Sequence, residues 1–188
     1  MAKVLISGMA ELATKVADEL RSREVEATEV HDLDQIPQVC TEAGPDAFDS
    51  YVQLPATFTV RGDSAIRRVH HFYADGVLRR FTALASVLPT LTDRARVTFV
   101  LGHLPDDVST NSDHQARQSL VEVLGHTARA DAAGTLDVRV LDHGATPQDI
   151  ALVAVGQKPS HQELLSRLSD LSYQDWRVEL MGLVSVET

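Results

Sequence analysis

Short apolar runs alternate with stretches of helical periodicity along this 188-residue chain. Lys3 to Ser7 is too brief for a helix and is stopped by Gly8, so it is predicted as a buried strand. From Glu11 to Arg23, apolar Leu12, Val16, Ala17 and Leu20 recur at spacings of three and four, one face of an amphipathic helix. Val25 to Val30 makes a second strand. Gln35 to Ala47 holds two prolines and a glycine and reads as a loop or a broken turn of helix. Asp49 to Leu54 is the next strand, closed by Pro55. A long helix is predicted over Ser64 to Leu88, with Ile66, Val69, Tyr73, Val77, Phe81, Leu84 and Leu88 along one stripe. Arg96 to Leu101 is a β-branched strand, followed by a helix over Asp113 to Ala130 with Ala116, Leu120, Val123, Leu124 and Thr127 facing inward. Leu136 to Leu141 is a further strand. Helices around Pro147 to Val155 and Ser160 to Leu171 precede a last strand, Arg177 to Ser185.

Regular alternation of strand and helix implies parallel pairing with helices on both faces. The predicted fold is therefore α/β, a doubly wound, mostly parallel, Rossmann-like sheet forming a single domain over 1–188. Composition changes little in this picture: 44% hydrophobic and 23% charged residues are ordinary for a globular domain. Charge changes more. A formal net charge of -10 argues against nucleic acid or an anionic membrane as partner, since both need a basic face. The single cysteine, Cys40, excludes an internal disulfide and suits a reducing compartment. The chain runs straight into Val4-Leu5-Ile6 without a signal-peptide pattern, and no apolar run approaches the roughly 20 residues that cross a bilayer. A cytoplasmic protein is expected.

The segment order, and several local patterns, resemble the short-chain dehydrogenase/reductases over about the first 150 residues. Val4-Leu5-Ile6-Ser7-Gly8 is similar to that family's first strand and the Thr-Gly opening its cofactor loop. Asp49 to Ala56 falls where the family has a strand and an Asn-Asn-Ala-Gly turn, and Tyr73 to Val77 where its long helix carries an Asn. Arg96 to Gly102 resembles the strand ending at the catalytic serine. Ser112 to Leu124 and Leu136 to Gly144 resemble the Tyr-x-x-x-Lys helix and the strand with its Pro-Gly turn. Between His31 and Phe48 the chain is too short for the helix-strand-helix of the family: either an edge strand is missing or the region is rebuilt. Residues 35–47 are thus a shortened region, and 155–188 diverge most.

The resemblance also locates the chemistry that this chain lacks. The family holds the cofactor pyrophosphate in a Gly-x-x-x-Gly-x-Gly loop at a helix N-terminus, where side chains would block the approach. Those positions read Gly8, Leu12 and Thr14, and Glu11 adds negative charge. The family's serine position falls at Gly102 or His103; its Tyr and Lys positions read Asp113 and Arg117, or His114 and Gln118 one residue along. Asp113 and Arg117 can form an ordinary intrahelical pair, and an aspartate of normal pKa does not replace a tyrosine acid. His103, Asp113 and His114 could instead gather as an acid/base or metal site at the strand ends, or merely line an empty crevice. His70 and His71 point in different directions and do not share a metal easily, so no metal site is expected; Asp142-His143-Gly144 is explained by turn chemistry. No cofactor is expected, NAD(P) being disfavoured.

A fold kept without its site needs another reason to persist. In the resembled family the two long helices pack against their copies in a partner, so residues 64–88 and 113–130 are the expected interface, through Val69, Phe72, Tyr73, Val77, Phe81, Leu120 and Leu124. The reading is a catalytically deficient subunit, paired with itself or with an active dehydrogenase or ketoreductase. An active NAD(P)-dependent oxidoreductase with atypical cofactor binding, and a small-ligand binding module, are the alternatives.

Overall fold

The computed structural model describes residues 1–55, 61–102, 111–132, 135–142, 144–158 and 166–167. Within them, Lys3–Ser7 (β1), Glu26–Val30 (β2), Phe48–Gln53 (β3), Leu91–Val100 (β4), Asp137–Leu141 (β5) and Ser166–Arg167 (β6) form one sheet of order β2-β1-β3-β4-β5-β6. The first five strands are parallel and β6 is antiparallel to β5. The doubly wound architecture expected from the alternation is what the chain adopts.

Two cores explain the two faces. On one side Ala13, Val16, Ala17 and Leu20 of Ala10–Arg21 (α1) and Ile150, Ala151 and Val153 of Pro147–Ala154 (α6) pack on Val4, Ile6, Val52 and Val100. On the other, Ile36 and Cys40 of Ile36–Ala43 (α2), Ala83, Leu84 and Val87 of Arg79–Val87 (α4), and Val121, Leu124 and Ala128 of Asn111–Asp131 (α5) cover Leu5, Tyr51, Val97 and Phe99. Alternate residues of each strand thus feed opposite cores, as a sheet buried on both faces requires.

Four expectations change. Of residues 35–47, expected as a loop or a broken turn of helix, 36–43 are a full helix: a 3-10 turn, Leu33–Gln35, leads into α2, with Pro37 in its first turn, where the missing N–H costs nothing, and Gly44 (φ +80°) ending it. The chain then passes directly to β3, so among the described residues the alternative of a missing edge strand is the one realised, with β2 at the edge. The long helix is not continuous. It comprises Ala65–His71 (α3), a π-helical segment Phe72–Leu78, and α4. The wider turn throws the stripe out of phase, so Ile66 and Val69 are 82% and 56% exposed while Leu84 lies in the core. β4 starts at Leu91, five residues before the predicted strand, with an irregular register opposite Phe48 and Ser50. Finally, Ser166–Arg167, inside the helix predicted over 160–171, is strand; the rest of that segment and the predicted strand 177–185 lie outside the described residues.

Candidate functional site

In a sheet of order 2-1-3-4-5, ligands bind outside the carboxyl ends of the strands where the winding reverses, here between β1 and β3. Gly8 follows β1 at φ +118°, and a β-carbon there would lie 2.6 Å from the Leu54 carbonyl oxygen. The Gly8 amide donates to Val30 O (3.1 Å) and the Met9 amide to Pro55 O (2.8 Å), tying the end of β1 to both neighbours. Only Gly8 and Met9 separate β1 from α1. Ala10, Glu11, Leu12 and Ala13 favour helix where the resembled family places loop glycines, so the helix starts early.

The two lost glycine positions are therefore helical. Leu12 is half-buried against the α1 core, and Glu11 pairs on the surface with Lys15 at 2.7 Å. The Thr14 hydroxyl donates to Glu29 Oε2 (2.9 Å), whose other oxygen accepts from Arg21 (2.8 Å). Glu29 sits near the end of β2, at the distance from the first glycine where dinucleotide-binding folds carry their ribose-binding acid. Burial pushes its carboxyl up, but the bonds from Arg21 and Thr14 and the charges of Arg21 and His31 more than reverse this, leaving it lowered. That acid is already engaged.

A polar cluster lies at the ends of β1, β3 and β4. Ser7 Oγ and Tyr51 Oη are 2.7 Å apart, and Gln53 Nε2 donates to Tyr51 Oη (3.1 Å) and to Arg80 O (3.3 Å). The buried Arg80 guanidinium donates to Leu54 O (2.9 Å) and Val100 O (3.2 Å), strapping two strand ends together. Gln53 Oε1 is buried without a hydrogen-bond partner. Burial pushes the Tyr51 hydroxyl up to about 12, against the pull of Ser7, Gln53 and Arg80. Tyr51 thus stays protonated near neutrality and is far from the tuned acid that proton transfer needs. Sequence reading missed this cluster, because Ser7, Tyr51 and Gln53 look like ordinary strand residues. The available signal was polarity at strand positions buried on both faces.

Of the other predicted residues, Gly102 is half-buried just past β4. Gln118 donates to Glu122 (3.0 Å) along α5. His103 lies outside the described residues, and for Asp113, His114 and Arg117 only the helical backbone is described. Among the described residues no three His, Cys, Asp or Glu side chains gather as a metal would need. His70 is exposed, whereas His71 accepts from the Arg61 amide (3.2 Å) and lies 3.4 Å from Asp75. The Asp142 carbonyl accepts from Ala145 N (3.1 Å), closing the turn. Of the interface candidates, Leu124 is a core residue, 3% exposed, because α5 turns this face to the sheet. Phe81 packs half-buried on the same core, Phe72 and Tyr73 form a T-shaped pair with centroids 5.3 Å apart, and Leu120 is half-buried. Of Val69, Phe72, Tyr73, Phe81, Leu120 and Leu124, Val69 alone is largely exposed; the side chain of Val77 is not described.

A groove of about 380 Å³ lies at the other end of the sheet, between α2 and the residues after α4, lined by Pro37, Cys40, Thr41, Ser86 and Pro89 among others. Burial pushes the Cys40 thiol up, against a hydrogen bond from Thr90, so it is a poor nucleophile. No described helix is long and apolar enough to cross a membrane.

These elements define a Rossmann-like sheet whose first turn has two residues, Gly8 and Met9. In sequence, no family model and no curated protein matches the chain. In structure it is similar to short-chain dehydrogenases and reductases, which carry the same fold. A small-chain dehydrogenase superposes with a TM-score of 0.62 at 15% identity, covering 82% of this chain and 88% of its own. A carbonyl reductase from Pseudomonas aeruginosa gives 0.59 at 14% identity, covering 82% and 89%. BdcA from E. coli, in complex with NADPH, gives 0.53 at 10% identity, covering 82% and 85%.

Proposed function

We propose that this protein is a non-catalytic subunit on a dehydrogenase/reductase fold, working through its helices and not through hydride transfer. The observation that carries the reading is the first turn: α1 begins two residues past β1, so Leu12 and Thr14 stand in helix where a phosphate-binding loop would need bare backbone. Two further features support it. Glu29 is held by Arg21 and Thr14, so a ribose would have to displace both. Tyr51, with its pKa pushed to about 12, offers no acid or base near pH 7. The subunit's role is then scaffolding, with residues 64–88 and 113–130 as the contact region.

The competing reading, an NAD(P)-dependent oxidoreductase with atypical cofactor binding, is favoured by BdcA, a similar fold that holds NADPH. Calorimetric titration of the full chain with NADH and with NADPH, up to millimolar cofactor, separates the two. The expected outcome is no saturable heat with either; saturable binding would sink the subunit reading.

A further inference from the structure

α3 is an exposed helix with an unusual composition for this chain. Every residue from Arg61 to His70 is exposed, and Ile66 and Val69 stand 82% and 56% open on neighbouring positions of one helix side. Residues 61–70 carry three arginines and one histidine against a single aspartate, in a protein whose formal net charge is -10; His71, half-buried and beside Asp75, does not add to the face. The cations are only lightly held. Arg67 pairs with Asp63 at 3.2 Å with both side chains more than two-thirds exposed, and Arg68 reaches only the Gly62 carbonyl at 3.4 Å. Further along, Arg79 is engaged by Asp34 and Arg80 is buried, so neither adds to this face.

A second copy of the chain fits this face poorly. A two-fold interface brings a patch against itself, so Arg61, Arg67 and Arg68 of one copy would meet the same arginines of the other. Like charges facing one another across an interface are strongly disfavoured, whereas carboxylates opposite them steer and orient a partner. An anionic membrane is also a poor fit, because the acid-rich body carrying this seven-residue helix would be repelled from it.

We infer that the 61–71 face docks a different protein, one presenting carboxylates around an apolar patch that covers Ile66 and Val69. This deepens the subunit reading above and rests on it: the assembly is a heteromer, with α3 supplying the basic, apolar-centred half of the contact.

The experiment mixes the full-length chain with its own charge-reversed variant, R61E/R67E/R68E, as a surrogate acidic partner, and reads mass by light scattering after size exclusion. The expected result is that the two together form a two-chain species that neither gives alone. That species should be lost on Ile66→Asp and should weaken at least tenfold between about 0.1 M and about 1 M salt, as the Debye length shrinks from about 10 Å to about 3 Å. If the unaltered chain forms a dimer by itself that Ile66→Asp abolishes, the face is a self-contact and the acidic partner is overturned, with the subunit reading intact. If no mixture pairs, although circular dichroism shows every variant folded, α3 is not a docking face. If phosphatidylserine vesicles sediment the unaltered chain but not R61E/R67E/R68E, the face is a membrane contact and the inference fails. The cofactor titration tests the underlying reading independently of all these outcomes.

Discussion

Tyr51 is a side chain whose surroundings change its chemistry. It lies at 0% exposure between Ser7 and Gln53, with its hydroxyl pKa raised from 10 to about 12. A folded-state pKa above the unfolded value means the native state holds the proton more tightly. The corresponding stability is fully present below about pH 10 and is lost as pH rises through about 12. Near-ultraviolet absorbance during alkaline titration should show one of the three tyrosines ionising late, together with unfolding. Tyr51→Phe should abolish that late phase and cost roughly 1–3 kcal/mol in urea titrations, since Ser7 loses a buried partner and Gln53 one of two. Gly8→Ala is expected to be as harmful for a different reason. Its backbone is left-handed and the added carbon would meet the Leu54 carbonyl at 2.6 Å, a strain of about 1–3 kcal/mol measurable by the same titration. Gly8 was legible in the sequence as the end of a strand. The Ser7–Tyr51–Gln53–Arg80 cluster was not, because its members come from β1, β3 and α4, which only the fold brings together.

At the scale of elements, α1 separates a lost motif from a replaced one. Restoring glycines with L12G/T14G should not create a phosphate loop, because those positions lie within the helix and not before it. The expected result is a loss of about 2–3 kcal/mol, roughly 1 for each helical glycine plus the Leu12 packing and the Thr14–Glu29 bond. Calorimetry with NADPH should show no gain of binding; a gain would mean the first turn can reopen as a loop. The helix after β3 teaches a different lesson. Its period of apolar residues was clear from the sequence, but the π segment Phe72–Leu78 resets the phase, and periodicity alone does not reveal an extra residue in a turn. Hence Ile66 and Val69, predicted on the same stripe as Leu84, stand in solvent. Similarly, α2 was hidden by Pro37 and Gly44, which read as loop breakers but sit at the first turn and at the end, where a helix accepts them.

For the molecule as a whole, shortening between β2 and β3 makes β2 the edge of the sheet among the described residues. An edge strand offers unpaired backbone to other chains, and charged side chains are a common defence. Glu26 and Glu29 stand on this five-residue strand, with Glu26 3.8 Å from Lys3. Replacing Glu26 and Thr28 together by valine should leave the chain folded but raise its light scattering with concentration and time; unchanged scattering would show that the edge is protected in some other way.

The sequence by itself determined the layered α/β architecture, because strands buried on both faces and amphipathic helices each carry their own period. It also fixed the absence of the loop glycines, which is a matter of residue identity. Tertiary structure alone decided that Glu29 is captured by Arg21 and Thr14, that Ile66 and Val69 stand in solvent while Leu84 is buried, and that α3 presents a basic face with apolar residues at its centre. Those outcomes depend on which segments meet and at what phase, and no local pattern in a single chain encodes the neighbour that a side chain will find.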